Sequence, residues 1–261
     1  MPKTISIVTI CYNNLQELLC TCKSVDTQSL EPLEHWIIDG STNNEISEYL
    51  RNTALPPYRH WISEKDNGIA DAFNKGVLRC TGELCNMLNA GDHYLDQSVL
   101  QTVSDSFEQH PQIAWLHAKY KLQRGGEWVI IGKPFEKNKL YRGMRSLCHQ
   151  SMFIKTALHK KYGLYDSSLP YAMDYDFVCR IAAEPVLFLQ KAVVVFAPGG
   201  ITNTRYLAAL EEGKKVYTRY YGFSIKLIIW QWRLRLLHWL LSSPIGNALY
   251  KIKIWMKLEN A

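Results

Sequence analysis

The sequence predicts an α/β fold built on a parallel sheet with helices on both faces. Two observations carry that prediction. Short aliphatic and β-branched runs alternate with stretches of helical apolar spacing through about residue 110, the pattern of strand and covering helix. In addition, three segments run out of a hydrophobic stretch into a carboxylate: Trp36-Ile37-Ile38-Asp39-Gly40-Ser41, Cys85-Asn86-Met87-Leu88-Asn89-Ala90-Gly91-Asp92 and Tyr171-Ala172-Met173-Asp174-Tyr175-Asp176. Ligands of open α/β sheets bind beyond the carboxyl ends of the strands. Asp39 and Asp92 could therefore converge on one polar ligand or a metal, and the third segment could bring a carboxylate to the same cleft.

The elements follow in order. Residues 5–10, rich in Ile and Val, read as a buried strand. Asn13 and Asn14 break it, and Leu15, Leu18, Leu19 and Val25 form a helical stripe. Residues 34–39 are a second strand, after which Ser41-Thr42-Asn43-Asn44 makes a turn that can cap the next helix. Residues 60–63 read as a short third strand, and residues 68–78 as a helix with Ile69, Ala72, Phe73 and Val77 inward. Residues 83–88 are a fourth strand and 98–107 another helix.

Beyond residue 110 the rhythm changes. Residues 113–122 and 128–131 flank Arg124-Gly125-Gly126 as a hairpin or meander. Residues 157–162 and 175–183 read as helical, 193–196 as a late strand, and Ala197-Pro198-Gly199-Gly200 as a turn. From Arg205 the chain is helical and basic, and no internal repeat or low-complexity stretch is visible.

Composition narrows the classes. A chain of 261 residues, 47% hydrophobic, buries a sizeable core as one domain or one domain plus an extension, which excludes a disordered chain. Seven cysteines without a CxxC pair, and no secretory leader, point to reduced thiols in a cytosolic setting. No apolar run reaches the roughly 18 uninterrupted residues of a spanning helix. The net charge of +6 gathers near the C-terminus.

Residue types alone leave Asp39 and Asp92 open, because Asp-Gly-Ser after a strand and Asn-Ala-Gly-Asp are also ordinary turn chemistry. Five ordered motifs carry a resemblance beyond this. Ile5-Ser6-Ile7-Val8-Thr9 with Tyr12-Asn13, Ile38-Asp39-Gly40-Ser41-Thr42, the long segment from Ser63 to Gly76, His149-Gln150-Ser151-Met152-Phe153 and Asp174-Tyr175-Asp176-Phe177 resemble an inverting glycosyltransferase of the GT-A fold, family 2, of the kind that builds bacterial surface polysaccharides. The resemblance covers about residues 4–204, and the segment from Ser63 to Gly76 is its most specific piece.

The resemblance implies a mixed GT-A sheet flanked by helices. It implies a nucleotide-sugar-binding half at about residues 1–110, an acceptor and catalytic half at about 111–204, and a helical tail at 205–261. It also implies transfer of a hexosyl or N-acetylhexosaminyl group from a nucleotide sugar, a UDP-sugar by expectation, to a saccharide or lipid-linked saccharide. Thr9, Asp39, Asp66 and Asp71 match positions that line the base and ribose, and Asn89 a ribose contact. Asp92 matches the ligand of a divalent cation, Mn2+ or Mg2+, that neutralises the leaving diphosphate. In the family that ligand belongs to an Asp-x-Asp motif, and here only the last acid is kept. Asp174 matches the catalytic base, with Asp176 as its competitor, since residues two apart on a helix face different ways. His149 would contact diphosphate or metal, or stand as a structural histidine.

From Arg219 to Lys257 the tail carries Arg219, Lys226, Arg233, Arg235, Lys251, Lys253 and Lys257 with no acid in that stretch, interleaved with Trp230, Trp232, Trp239 and Trp255. Cations and tryptophans on a helix suit an anionic bilayer surface. The expectation is a cytoplasmic protein, peripheral on the inner face of the cell membrane; the plain alternative is a helix packed on the catalytic domain. No nucleic-acid recognition fold accompanies the charge. Two rivals remain at this point. One is a nucleotidyltransferase, which would want a Gly-rich phosphate loop where Cys11-Tyr12-Asn13-Asn14 stands; the other is a catalytically inactive nucleotide-sugar-binding module of the same fold.

Overall fold

The aliphatic N-terminal run becomes the centre of the sheet. In the computed structural model, which describes residues 2–124, 126–145, 147–197, 205–241 and 246, β1 (Ile5–Cys11) lies between β2 (Glu34–Asp39) and β4 (Leu84–Met87), with β3 (Arg59–Ser63) outside β2. All four are parallel. Side chains alternate to the two faces: Ile37 packs with Leu18, Cys22, Ile46 and Leu50, while its neighbour Ile38 packs with Val8, Ala72, Phe73 and Val77. So α1 (Leu15–Asp26) and α2 (Glu45–Asn52) cover one face, and α3 (Ile69–Val77) the other. Gly76 lets α3 close on the sheet, because a Cβ there would lie 2.2 Å from Val8 Cγ1. The register aligns Cys11 with Asp39 and Asp39 with Ser63, which makes a level edge at the carboxyl end of three strands.

The second half extends the same sheet with strands of mixed direction. β8 (Met152–Lys155) runs antiparallel to β4, and β6 (Trp115–Arg124) antiparallel to β8. β9 (Val186–Phe196) runs parallel to β6, and the two-residue β5 (His93–Tyr94) closes the edge antiparallel to β9. The order is β3-β2-β1-β4-β8-β6-β9-β5. The expected hairpin forms, with β7 (Glu127–Ile131) paired to β6 so that Arg124 faces Glu127; Gly125 lies outside the described residues. The all-parallel sheet suggested by strand–helix alternation is thus corrected to a mixed one. The local pattern reads β9 only from residue 193 because its first half is partly exposed, whereas Val193 to Val195 are buried.

The remaining helices are α4 (Val99–Gln109), α5 (Ala157–Tyr162), α6 (Met173–Ile181) and two in the tail, Tyr206–Tyr221 and Ile225–Leu241. The first tail helix is tied to α6 by polar contacts. Glu212 Oε1 accepts the backbone N–H groups of Tyr171 (2.8 Å) and Ala172 (2.6 Å), placing a carboxylate at the N-terminus of α6 where the orphan donors and helix dipole favour an anion. Asp176, 1% exposed, accepts from Arg180 Nε (3.0 Å), Arg219 Nη1 (3.1 Å) and the Tyr220 hydroxyl (2.8 Å). Val216 is fully buried beneath this contact. Of the expected tail, Lys251, Lys253, Trp255 and Lys257 lie outside the described residues, as does the proposed turn at Pro198-Gly199-Gly200.

Removing one partner of a buried ion pair strands the others and costs about 3–5 kcal/mol. Asp176→Ala is expected at the lower end, about 3 kcal/mol, because Arg219 is half exposed and water screens it. Urea unfolding measures this; a loss under about 1 kcal/mol would show that the tail helix holds without Asp176.

Candidate active site

Two groups of polar side chains gather at the carboxyl ends of the central strands. The first stands at the level edge of β1, β2 and β3. Asp39 is fully buried there: its Oδ1 accepts the Ser41 N–H at 3.0 Å and its Oδ2 the Ser63 hydroxyl at 2.8 Å. Beside it the Asp66 carboxylate lies against Gly40, whose missing Cβ would sit 2.0 Å from Asp66 Oδ2. Only glycine allows that approach.

Lys75, on α3, reaches this group and neutralises part of it. Its Nζ lies 2.6 Å from Asp66 Oδ1, 3.1 Å from Glu64 Oε1 and 3.5 Å from Asp71 Oδ2. Asp71 also accepts the Asn67 N–H at 2.9 Å, which with Lys75 holds its carboxyl below the usual range. Burial pushes the Asp66 carboxyl up despite the Lys75 contact. Burial opposes the charge on Lys75, but its hydrogen bonds to Asp66 and Glu64 outweigh this and raise its pKa. Three carboxylates thus share one ammonium group.

The second group forms on the loop after β4. Thr9 is buried inside the sheet, where its hydroxyl donates to Leu88 O (2.7 Å) and meets His35 Nε2 (2.8 Å). It does not face the cleft; it ties the β4 loop to β1. The next residue, Asn89, places Nδ2 3.2 Å from His149 Nε2 and leaves Oδ1 buried without a partner. His149 Nδ1 lies 3.4 Å from Asp174 Oδ2, and its ring is held edge-on by Phe73. Asn89, His149 and Asp174 therefore form one connected row from the β4 loop to the start of α6. A small cavity lined by Met87, Tyr165, Phe177 and His159 adjoins His149 and Asp174.

Asp92 is set deeper, at 4% exposed. Gln150 Nε2 donates to its Oδ2 (2.7 Å) and the Ala197 N–H to its Oδ1 (2.8 Å). Burial pushes its carboxyl up, against those two hydrogen bonds. Thr21 on α1 fixes the loop from the other side, donating to Asp92 O at 2.7 Å and accepting the Gly91 N–H at 2.9 Å.

The two acids of α6 separate cleanly. Asp174 keeps 23% of its side chain exposed, its Oδ1 accepting the Tyr175 N–H, whereas Asp176 is 2% exposed and committed to Arg180, Arg219 and Tyr220. Gln150, within the segment His149-Gln150-Ser151-Met152-Phe153, carries no sequence signal for its contact with Asp92. The contacts of Glu212 and Arg219 with α6 carried no local signal in the sequence, since they join segments about 40 residues apart. Among the described residues no three His, Cys, Asp or Glu side chains cluster as a metal cage. The donor set that remains is one carboxylate, Asp92, and the orphaned oxygen of Asn89 three residues before it. That set suits a hard cation of the Mg2+ type, which takes one or two protein oxygens and fills its sphere with water and substrate phosphates.

Comparison with known proteins identifies the family and the fold. The sequence profile of glycosyl transferase family 2 matches residues 6–163. An uncharacterized glycosyltransferase of Mycobacterium tuberculosis is 31% identical over 212 residues, covering 79% of this chain and 80% of the relative. Among solved structures, S. aureus TarS 1–349 in complex with UDP-GlcNAc superposes with a TM-score of 0.61 at 16% identity, covering 87% of this chain and 70% of that one. The chain spans 40% of the longer TarS structure. The mannosyltransferase PcManGT of Pyrobaculum calidifontis, in complex with GDP-Man and Mn2+, gives a TM-score of 0.61 at 12% identity, covering 100% of this chain and 82% of that one. The chain belongs to glycosyl transferase family 2, is a glycosyltransferase and has the GT-A fold.

The Gly40–Asp66 contact yields a test. Gly40→Ala pushes a methyl group into the Asp66 carboxylate and should cost about 1–3 kcal/mol. In a double-mutant cycle with Asp66→Ala the clash disappears, so the two changes should be non-additive by about 1 kcal/mol or more in thermal or urea unfolding. Strict additivity would mean that Asp66 does not rest on Gly40.

Proposed function

We propose that this family 2 glycosyltransferase moves a sugar from a UDP-sugar to a saccharide or lipid-linked saccharide in surface polysaccharide synthesis, inverting the anomeric centre with Asp174 as general base. The observation that carries the reading is the contrast on α6: Asp174 is accessible and oriented by His149, while Asp176 is fully engaged in holding the tail. Inversion needs one displacement. Asp174 takes the proton of the attacking acceptor hydroxyl, the new C–O bond forms at the anomeric carbon, and the bond to the diphosphate breaks on the opposite side. His149 orients the base and, through Asn89, couples it to the donor loop.

On the donor side, Asp39, Asp66 and Asp71 serve the base and ribose. Thr9 acts from beneath as a positioning group for Asn89. The likeness to TarS, solved with UDP and UDP-GlcNAc, supports a uridine donor, and that to PcManGT, solved with Mn2+, supports a divalent cation. Asp92 and Asn89 would hold Mn2+ or Mg2+, which when bound offsets the charge gathering on the leaving diphosphate.

The acceptor is met at a membrane surface. No helix among the described residues is long and apolar enough to cross a bilayer. The second tail helix nevertheless turns Leu227, Trp230 and Gln231 inward and leaves Ile225, Ile229, Trp232, Leu236, Trp239 and Leu240 exposed. At 3.6 residues per turn these six share one face, and exposed Lys226 and Arg233 border it. A bilayer with anionic headgroups matches that arrangement, which supports a position on the inner face of the cell membrane.

Asp174→Asn is expected to abolish transfer while leaving UDP affinity within a few-fold, because a base acts on the acceptor proton. Turnover within about tenfold of the wild type would remove Asp174 from the mechanism.

Trp232→Glu with Trp239→Glu should release the protein from vesicles of phosphatidylcholine and phosphatidylglycerol while sparing UDP binding. These positions are preferable to truncation at Tyr217, which would remove Arg219 and Tyr220 and leave Asp176 short of partners. Sedimentation equal to that of the wild type would turn the exposed face into a surface for another partner.

A further inference from the structure

Three arginines surround one tryptophan on the acceptor side of the molecule. The guanidinium carbons of Arg142, Arg145 and Arg233 lie 5.4, 5.0 and 5.3 Å from the Trp230 ring centroid. Arg142 ends the 3-10 turn Lys137–Arg142, Arg145 follows it, and Arg233 belongs to the second tail helix. The nearby ion pairs use other cations, Lys139 with Glu136 and Arg235 with Glu211. Among the described residues Arg142 hydrogen-bonds only the Tyr141 hydroxyl, and no carboxylate pairs with any of the three. Stacking on an indole is a weak attraction for each cation, and it leaves the mutual repulsion of three like charges uncompensated.

A second, independent observation points the same way. Trp230 is 7% exposed, and its Nε1–H is buried without an acceptor among the described residues. An indole N–H can only donate. Three planar forks and one orphan donor make a receptor for an oxyanion, and guanidinium geometry suits phosphate.

From these contacts we propose that Arg142, Arg145, Arg233 and Trp230 bind the diphosphate headgroup of a lipid, the carrier portion of the acceptor. The inference rests on the membrane-facing reading of the tail and deepens it by naming the acceptor class. The location supports a lipid over a free anion. Trp230 faces the protein while Trp232, two residues on, is exposed on the apolar face with Ile229 and Leu236. A headgroup at the arginines would thus have its hydrocarbon chain beside that face. The cluster is also braced to the base: the Tyr175 hydroxyl donates to Leu140 O at 2.5 Å, in the same 3-10 turn as Arg142, and Tyr175 follows Asp174 in α6. A saccharide on the held carrier is thereby kept at a fixed reach from Asp174. The donor diphosphate belongs elsewhere, at the β4 loop.

The test uses the full-length protein with farnesyl diphosphate and inorganic pyrophosphate as probes, titrated by calorimetry in the presence of saturating UDP. The wild type should bind farnesyl diphosphate about tenfold or more tighter than pyrophosphate, and Arg145→Gln with Arg233→Gln should weaken farnesyl diphosphate by about tenfold or more. Both side chains are exposed, so UDP affinity, measured alongside, should not change and reports that the variant is folded. Unchanged farnesyl diphosphate affinity in the variant overturns the proposal. Equal affinity for the two probes overturns its lipid part and leaves a site for free diphosphate. Failure of the transferase reading shows separately, as absence of UDP binding by the wild type.

Discussion

A buried negative charge organises the C-terminal half. Asp176 sits inside the protein, and a carboxylate there is tolerable only if it is paired and hydrogen-bonded. Arg180 supplies one partner from its own helix, but Arg219 and Tyr220 come from more than 40 residues downstream. Satisfying Asp176 therefore requires the helix Tyr206–Tyr221 to dock on α6. Once docked, that helix places Glu212 at the N-terminus of α6, the turn that presents Asp174. The accessible acid owes its setting to the inaccessible one.

The N-terminal half depends on a different device, the level edge of a parallel sheet. Because Cys11, Asp39 and Ser63 are in register, Asp39 finds Ser63 directly beside it. The segment after Ser63 can then fold back so that Asp66 reaches Gly40. On the other side of β1, Asp92 draws in Gln150 and Ala197, so the β4 loop, the segment before β8 and the end of β9 meet at one carboxylate. These two devices explain why polar groups scattered over the chain arrive at the carboxyl ends of the central strands.

They also explain what could be read in advance. Buried parallel strands are short, contiguous and aliphatic, so β1, β2 and β4 were legible from composition alone, and the helical spacing of Ile69, Ala72, Phe73 and Val77 gave α3. The short or partly exposed strands added later were not. β5 has two residues, β8 has four, and the first half of β9 is partly exposed, so none shows a periodicity long enough to recognise. Within the site, the carboxylates stood out because they follow hydrophobic runs. Their partners did not, since Gln150 lies 58 and Ala197 105 residues from Asp92. Side-chain orientation was likewise hidden. Thr9 and Asp39 sit at the expected positions, yet both are buried, and only the structure separates lining the cleft from supporting it.

Charge balance gives the cleft a further constraint. Glu64, Asp66 and Asp71 share the single ammonium of Lys75, and Asp39 adds another acidic group at the same strand edge. A nucleoside diphosphate brings more negative charge to this edge, and like charges near low-dielectric walls repel. Lys75 cannot relieve this by swinging to the phosphates without abandoning three carboxylates. The arginines at Trp230 gather where the second tail helix meets the 3-10 turn Lys137–Arg142. A donor entering here is therefore best accommodated when it carries its own counter-charge, and a divalent cation chelated by its phosphates does that with few protein ligands. On this argument the shortening of the Asp-x-Asp pattern to Asn89 and Asp92 does not oppose metal use. A cation held there would take most of its coordination from the substrate rather than the protein.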